Sequence, residues 1–321
     1  MVTSGSLKSS GFWSASSHGL NLLFLRLRYA HPASLAPSLG WGEGALGWFD
    51  AVDVPAVRQP ASGWRFCQRD ASMHGPQAFR FFGVEHTLAD NRGWRWKPWG
   101  EDWLLNLHAF DDLLADDRQA RFEWHEKLIS NWIMANPPGK GVGWQPTSLS
   151  RRISNWIKWG LATQGLNDVA RSSLVVQARF LRKRMGSSVT GLYAGRAGMA
   201  LLFAGAFFEG SEADGWRRIG VSVLRNMLKS RCFEGGQDAP PAFNAGALEG
   251  LLDLVQLDKI YPGLLPLDEV NRWQMAALEL LAHGEAPAAG PDAAGRAVLF
   301  DAPSWQALRS YARELGVLSG N

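Results

Sequence analysis

The sequence predicts an all-α protein assembled from helical hairpins, and three observations carry that expectation. From about Asp102 onward, apolar residues recur at three- and four-residue steps, the spacing of one helical face. Gly and Pro residues punctuate these stretches and leave room for short connections. Strand-like alternation is sparse. Consecutive helices with short links pack as antiparallel hairpins, and either a closed ring or an open solenoid of hairpins would bury that many apolar faces.

Residues 1–90 are rich in Ser, Gly, Pro and Ala with little periodicity, which predicts an irregular N-terminal arm carrying one helix near 20–29. The helical domain is expected over 91–321. Within it the pattern predicts helices over 110–114, 118–135, 148–163, 167–185, 197–208, 213–230, 243–260 and 268–283. Asn136-Pro137-Pro138-Gly139 closes the second of these, because proline neither donates to nor fits inside a continuing helix. Leu248, Leu251, Leu252, Val255 and Leu257 make one apolar face of the segment 243–260.

At 321 residues, 46% apolar and 20% charged, the chain has material for a substantial core. Its net charge of +3 and isoelectric point near 9.0 suit an acidic partner. No dense Lys/Arg run is present, which argues against nucleic acid. Cys67 and Cys232 form neither a disulfide framework nor a metal-ligand spacing, and the histidines are scattered. Asp111-Asp112 and Asp116-Asp117 lack the spacing of a calcium loop, so no metal or other cofactor is expected. The apolar run at 20–25 is too short to span a membrane and lacks a signal-peptide cleavage pattern. The cytoplasm is therefore the default compartment, with the periplasm as the alternative.

Nine of the sixteen tryptophans fall within residues 94–159, interleaved with Asn, His and Arg. Aromatic faces beside such groups suit a groove for a sugar chain, since a ring covers the apolar face of a pyranose and polar groups take its hydroxyls and carboxylates. The competing reading is helix-packing core. His108 would then be a satisfied core histidine, and Arg151 and Arg152 would bridge to the Asp111-Asp112 region.

Several ordered stretches resemble a family. Asn106-Leu107-His108-Ala109-Phe110-Asp111 is similar to the Asn-Leu-His-Tyr-Phe-Asp motif of heparinase II/III-like polysaccharide lyases. The segment 132–156, with its Asn-Pro-Pro-Gly, Gly-Trp-Gln-Pro and Ser-Arg-Arg-Ile elements, resembles the run that follows in that family, as do 201–208 and 248–254. The likeness covers roughly residues 80–315. It implies an incomplete α/α toroid with a cleft across one end, normally followed by a β-sandwich domain. This chain stops near the boundary where that domain would begin, so a separate protein partner supplying it is one expectation.

Such lyases remove the C5 proton of a uronate and then expel the C4 oxygen. The chemistry needs an amide or cation to hold the carboxylate as charge moves onto it, and a Tyr or His to take the proton. The family supplies these from an Asn-His pair and a Tyr-His pair. Here the matching positions read Leu192-Tyr193 and Phe243-Asn244, and the family's turn histidine is Gln237. Leu holds no carboxylate and Phe transfers no proton.

Three readings follow. The first is a lyase-like, catalytically degenerate protein binding an acidic, uronate-containing polysaccharide or oligosaccharide. Trp103, Asn106, His108, Trp144, Arg151, Arg152, Asn155, Trp156, Arg196 and Gln237 are its candidate binding residues. The second is an active lyase with exchanged roles, Tyr193 as base and Asn244 as carboxylate holder, in which a cation such as Arg196 lowers the phenol's pKa. The third is a structural partner of a glycan-processing enzyme.

Overall fold

The computed structural model describes residues 53–185, 192–229, 241–283 and 302–319, and of residues 192, 193, 241–244 and 283 it describes helix membership alone. The expected helix at 20–29 lies outside the described residues. The described chain is mostly helical: α1 (Glu101–Ala109), α2 (Phe122–Ala135), α3 (Pro146–Thr163), α4 (Asp168–Arg184), α5 (Leu192–Phe207), α6 (Ser211–Lys229), α7 (Pro241–Ile260), α8 (Leu267–His283) and α9 (Trp305–Glu314). No described helix is long and apolar enough to cross a membrane.

The helices form two rows. α1, α3, α5 and α7 touch one another in chain order, whereas α2 packs on α4 and α6 on α8. Hairpin pairing links the rows through α3–α4, α5–α6 and α7–α8, and α9 packs on α7. Burial explains the sorting. α3, α5 and α7 are covered on nearly all sides through their central turns, while α6 and α8 bury one stripe and expose the rest. A helix apolar around its whole girth must sit between neighbours, and a one-sided helix must face water.

Three differences from the sequence expectation have physical causes. A helix was expected at 110–114, but the α-helix lies before it, over Glu101–Ala109, and 111–114 is a single 3₁₀ turn. Phe110 takes left-handed backbone angles (φ 62°, ψ 37°) and ends α1, a termination that its residue type does not announce. The all-α expectation is corrected by a two-stranded antiparallel hairpin, β1 (Ala78–Phe81) and β2 (Val84–Thr87). Its two-residue turn, Phe82-Gly83, has φ of 54° and 75°, both positive as a right-twisted hairpin prefers. Four residues of alternation are too few to stand out in the sequence. Finally, α9 was not singled out at all, although Ser304 caps it by accepting from the Ala307 amide at 3.1 Å.

The described part of the N-terminal arm is packed, not loose. Trp64, Cys67, Met73, Phe79, Phe81 and Leu88 are all buried. The arm runs over the C-terminal ends of α5 and α7 and satisfies carbonyls that those helices leave open. Arg58 donates from Nε to the Ala206 carbonyl at 3.1 Å and from its amide to the Phe207 carbonyl at 2.8 Å. The Ala61 amide does the same for Ile260 at the end of α7, at 2.8 Å.

The α5–α6 hairpin is closed by glycines where the backbones meet. A Cβ on Gly205 would lie 2.5 Å from both the Ala213 carbonyl oxygen and the Arg217 amide nitrogen, so only backbone movement could relieve it. Gly205→Ala should therefore lower the unfolding free energy by ~1–3 kcal/mol, the usual cost of overpacking. Gly215→Ala on α6, where a Cβ meets nothing within 4 Å, should be neutral or stabilising. Urea unfolding of the two variants checks the contrast, and equal effects would contradict this account of the helix contact.

Candidate functional site

The left-handed Phe110 costs roughly 1–2 kcal/mol in backbone strain and is held there by rings. Its side chain stacks 6.2 Å from Trp94 and meets Trp132 and Trp156 edge-on at 6.4 and 5.3 Å. The turn that results places Asp111 against α3. Arg151 donates to both of its oxygens, Nε to Oδ1 at 3.1 Å and Nη2 to Oδ2 at 2.7 Å. Asn155, four residues on and on the same helix face, donates Nδ2 to Asp111 Oδ1 at 2.7 Å and to the Ala109 carbonyl at 2.9 Å.

From Asp111 a layer of buried charge extends to α7. Arg69 of the arm pairs with Glu249 and approaches Asp111 at 3.9 Å. Lys158, one turn beyond Asn155, pairs with Asp253, one turn beyond Glu249. Asp253 also accepts from the Tyr311 hydroxyl of α9 at 3.0 Å. Burial opposes ionisation of every carboxylate here, and the neighbours decide the outcome. For Asp111, Arg151 and Arg69 overcome burial and hold the pKa below the ordinary value. For Glu249, Arg69, Lys158 and Arg151 do the same. For Asp253, burial prevails over Lys158, Glu249 adds to the rise, and the pKa reaches about 6. Burial, reinforced by Asp253, pushes the Tyr311 phenol well above its usual range.

A cavity of ≈ 100 Å³ opens beside this layer. Arg151, Ser154, Asn155 and Lys158 of α3 form one wall, Gly195, Arg196 and Met199 of α5 another, and Gly246, Glu249 and Asp253 of α7 a third. Met227 of α6 and Leu114 of the turn after α1 also line it.

Of the residues singled out by the sequence, Arg151, Asn155 and Arg196 meet in this cavity. Trp103, His108, Trp144, Arg152 and Trp156 do not line it: each is at most 4% exposed and packed within the helical core. Trp103 donates its indole N–H to the Val84 carbonyl at 3.1 Å. His108 bridges the Trp94 carbonyl at 2.9 Å and the Trp132 indole at 2.8 Å. Gly143 admits that ring, since a Cβ there would lie 2.5 Å from Nδ1. Arg152 binds Gln177 and the His108 carbonyl at 2.9 and 3.0 Å, with its guanidinium 3.7 Å over the Trp132 ring. Trp144 donates to the Asn136 carbonyl at 3.4 Å, and Trp156 packs edge-on to Trp132 at 5.7 Å. The expected sugar-stacking groove of tryptophans is instead an aromatic core. Asn106 donates to the Asp102 carbonyl at 2.9 Å and lies on the wall of a second, larger cavity. Tyr193 and Asn244 fall in the first turns of α5 and α7, but their side chains, like all of Gln237, lie outside the described residues.

Sequence reasoning missed Arg69, Lys158, Glu249, Asp253 and Tyr311. A signal existed: Arg151, Asn155 and Lys158 recur at helical spacing on α3, and Glu249 and Asp253 do so on α7 within an otherwise apolar stretch. Charges on a buried face demand partners. Comparison of the chain with family models, with curated proteins and with solved structures yields no match.

Burial, aided by the nearby Arg152 charge, lowers the His108 pKa from 6.5 to about 3. The native ring stays neutral while the unfolded chain takes up a proton below about pH 6.5. The contribution to stability is therefore complete above that pH and is lost as the pH falls towards 3. At pH 5 the loss should be about 2 kcal/mol. Asp253 acts in the opposite sense: its raised pKa adds stability that is complete below about pH 4 and is lost as the pH rises through about 6. Urea unfolding at pH 7, 6 and 5 should show His108→Gln gaining about 2 kcal/mol on the wild type as the pH falls from 7 to 5, with the Asp253 contribution common to both. Parallel profiles would mean that His108 does not titrate differently on folding.

Proposed function

We propose that this chain is a lyase-like, catalytically degenerate protein that binds an acidic, uronate-containing polysaccharide at the cavity between α3, α5 and α7. One observation carries the reading. Gly195-Arg196 and Gly246-Ala247, which line the cavity with Arg151 and Asn155, lie two to three residues beyond Leu192-Tyr193 and Phe243-Asn244. The two positions that match the family's catalytic pairs thus begin the two helices that border one charged cavity. A uronate carboxylate entering it meets Arg151 and Arg196 from facing helices, and guanidinium is well matched to a carboxylate. The cavity's size suits one ionic group of a sugar, with the rest of the polymer outside.

The two-row arrangement supports a finer proposal for the fold, an incomplete α/α toroid in which α1, α3, α5 and α7 form the inner ring. Elimination by the family's usual route is not expected. Phe243 has no oxygen to accept a proton, and Leu192 cannot hold a carboxylate. Losing a positioned acid–base group typically costs ~10²–10⁴ in rate, and losing the electrostatic holder costs ~10²–10³. Because residues 193 and 244 lie in the first turns of the two helices that border the cavity, a second reading is an exchanged-role lyase with Tyr193 as base and Asn244 as holder.

Titration calorimetry with alginate, hyaluronan, heparin and pectate oligomers should detect binding to at least one of them. Arg151→Gln and Arg196→Gln, confirmed folded by thermal melting, should each weaken it at least tenfold. Absorbance of an unsaturated uronate should not develop. Absence of binding to all four would end the proposal. Strong absorbance in the wild type that collapses in both Tyr193→Phe and Asn244→Ala would establish the exchanged-role lyase in its place.

A further inference from the structure

A second cavity, of ≈ 710 Å³, shares no lining residue with the first. It is bounded by residues 68–72 of the arm, by Arg80 and Phe81 of β1, by Asn106 and Asp111, and by the start of α9 from Ala302 to Ala307. Its volume falls within the roughly 300–1,000 Å³ of small-molecule sites. The charges on its wall balance. Arg69 and Arg80 stand against Asp70 and Asp111, and most of these already have ionic partners: Glu249 for Arg69, Glu85 at 2.9 Å for Arg80, and Arg151 at 2.7 Å for Asp111. Nothing in that wall selects an ion of either sign.

The remaining polar lining is uncharged: the amides of Gln68, Asn106 and Gln306 and the hydroxyls of Ser72 and Ser304. Amide and hydroxyl groups both donate and accept, as sugar hydroxyls do.

We propose that this second cavity binds a neutral oligosaccharide segment. The site is distinct from the acidic-glycan cavity and does not rest on that reading. It places an uncharged sugar against Gln68, Ser72, Asn106 and Gln306.

The test uses the full chain and five neutral probes: xylotetraose, mannotetraose, maltotetraose, cellotetraose and chitotetraose, titrated by calorimetry. At least one should bind saturably. The double variant Gln68→Ala/Gln306→Ala, at two exposed positions, should weaken that binding at least tenfold. Ala71→Trp, which puts a bulky ring on the cavity wall, should weaken it at least tenfold, and if that variant does not fold, the double variant decides alone. Oligouronates should not displace the neutral probe, and a failure of oligouronates to bind at all leaves the result unaffected. The proposal is overturned if none of the five binds, if binding is indifferent to the cavity variants, or if an oligouronate competes for it.

Discussion

Asp111 is largely buried beside Arg151, Asn155 and Arg69, and a carboxylate taken out of water must be paired or give up its charge. The same holds for Glu249 against Arg69 and for Asp253 against Lys158. Together these pairs tie the N-terminal arm, the turn after α1, and helices α3, α7 and α9 into one layer. Removing one partner from such a pair typically costs 3–5 kcal/mol, because the other charge stays buried. Five separate stretches of chain must therefore reach their places together before any of these charges is compensated. This makes the layer a device for specifying one arrangement of helices as much as a source of stability.

The aromatic core supports that layer from behind. Phe110 can keep its strained backbone only because Trp94, Trp132 and Trp156 surround its ring. Without that turn, Asp111 would continue the line of α1 and would not face Arg151. Arg152 performs a related task one residue away. Its guanidinium lies over Trp132 and binds the His108 carbonyl, so adjacent arginines on α3 serve different sides of the helix. Arg151 faces the cavity and Arg152 the core, as the 100° step between successive helical residues requires.

The consequence for function is that the polar groups of the first cavity are rigidly held. Arg151 and Asn155 are fixed through Asp111, and Lys158 through Asp253 and, indirectly, Tyr311. A ligand entering there meets oriented groups and has little side-chain entropy to remove, which favours binding. The same fixation works against proton transfer by these groups. Lys158 and Asp253 already hold one another, and the carboxylate with the raised pKa is nearly covered by its partners.

Most of the helices were legible in the sequence, because a 3.6-residue apolar period together with Gly and Pro stops is a local property. The Asn136-Pro137-Pro138-Gly139 stop and the buried face through Leu248, Leu251 and Leu252 are of this kind. The hairpin at 78–87 and the end of α1 at Phe110 were not legible. The first is too short to show a period, and the second depends on rings from three distant segments. Arg151 and Asn155 were readable as one helix face, but the sequence could not tell that face from the one holding Arg152 and Trp156. Periodicity states which residues point the same way and is silent on whether that direction meets a cavity or another helix. The tryptophans from 94 to 159 show the difference most clearly. By itself the sequence determined that they are concentrated among polar partners. Only the tertiary structure decided that most of their rings pack inward on Arg152, His108 and one another, because burial is set by what the rest of the chain brings to the other side.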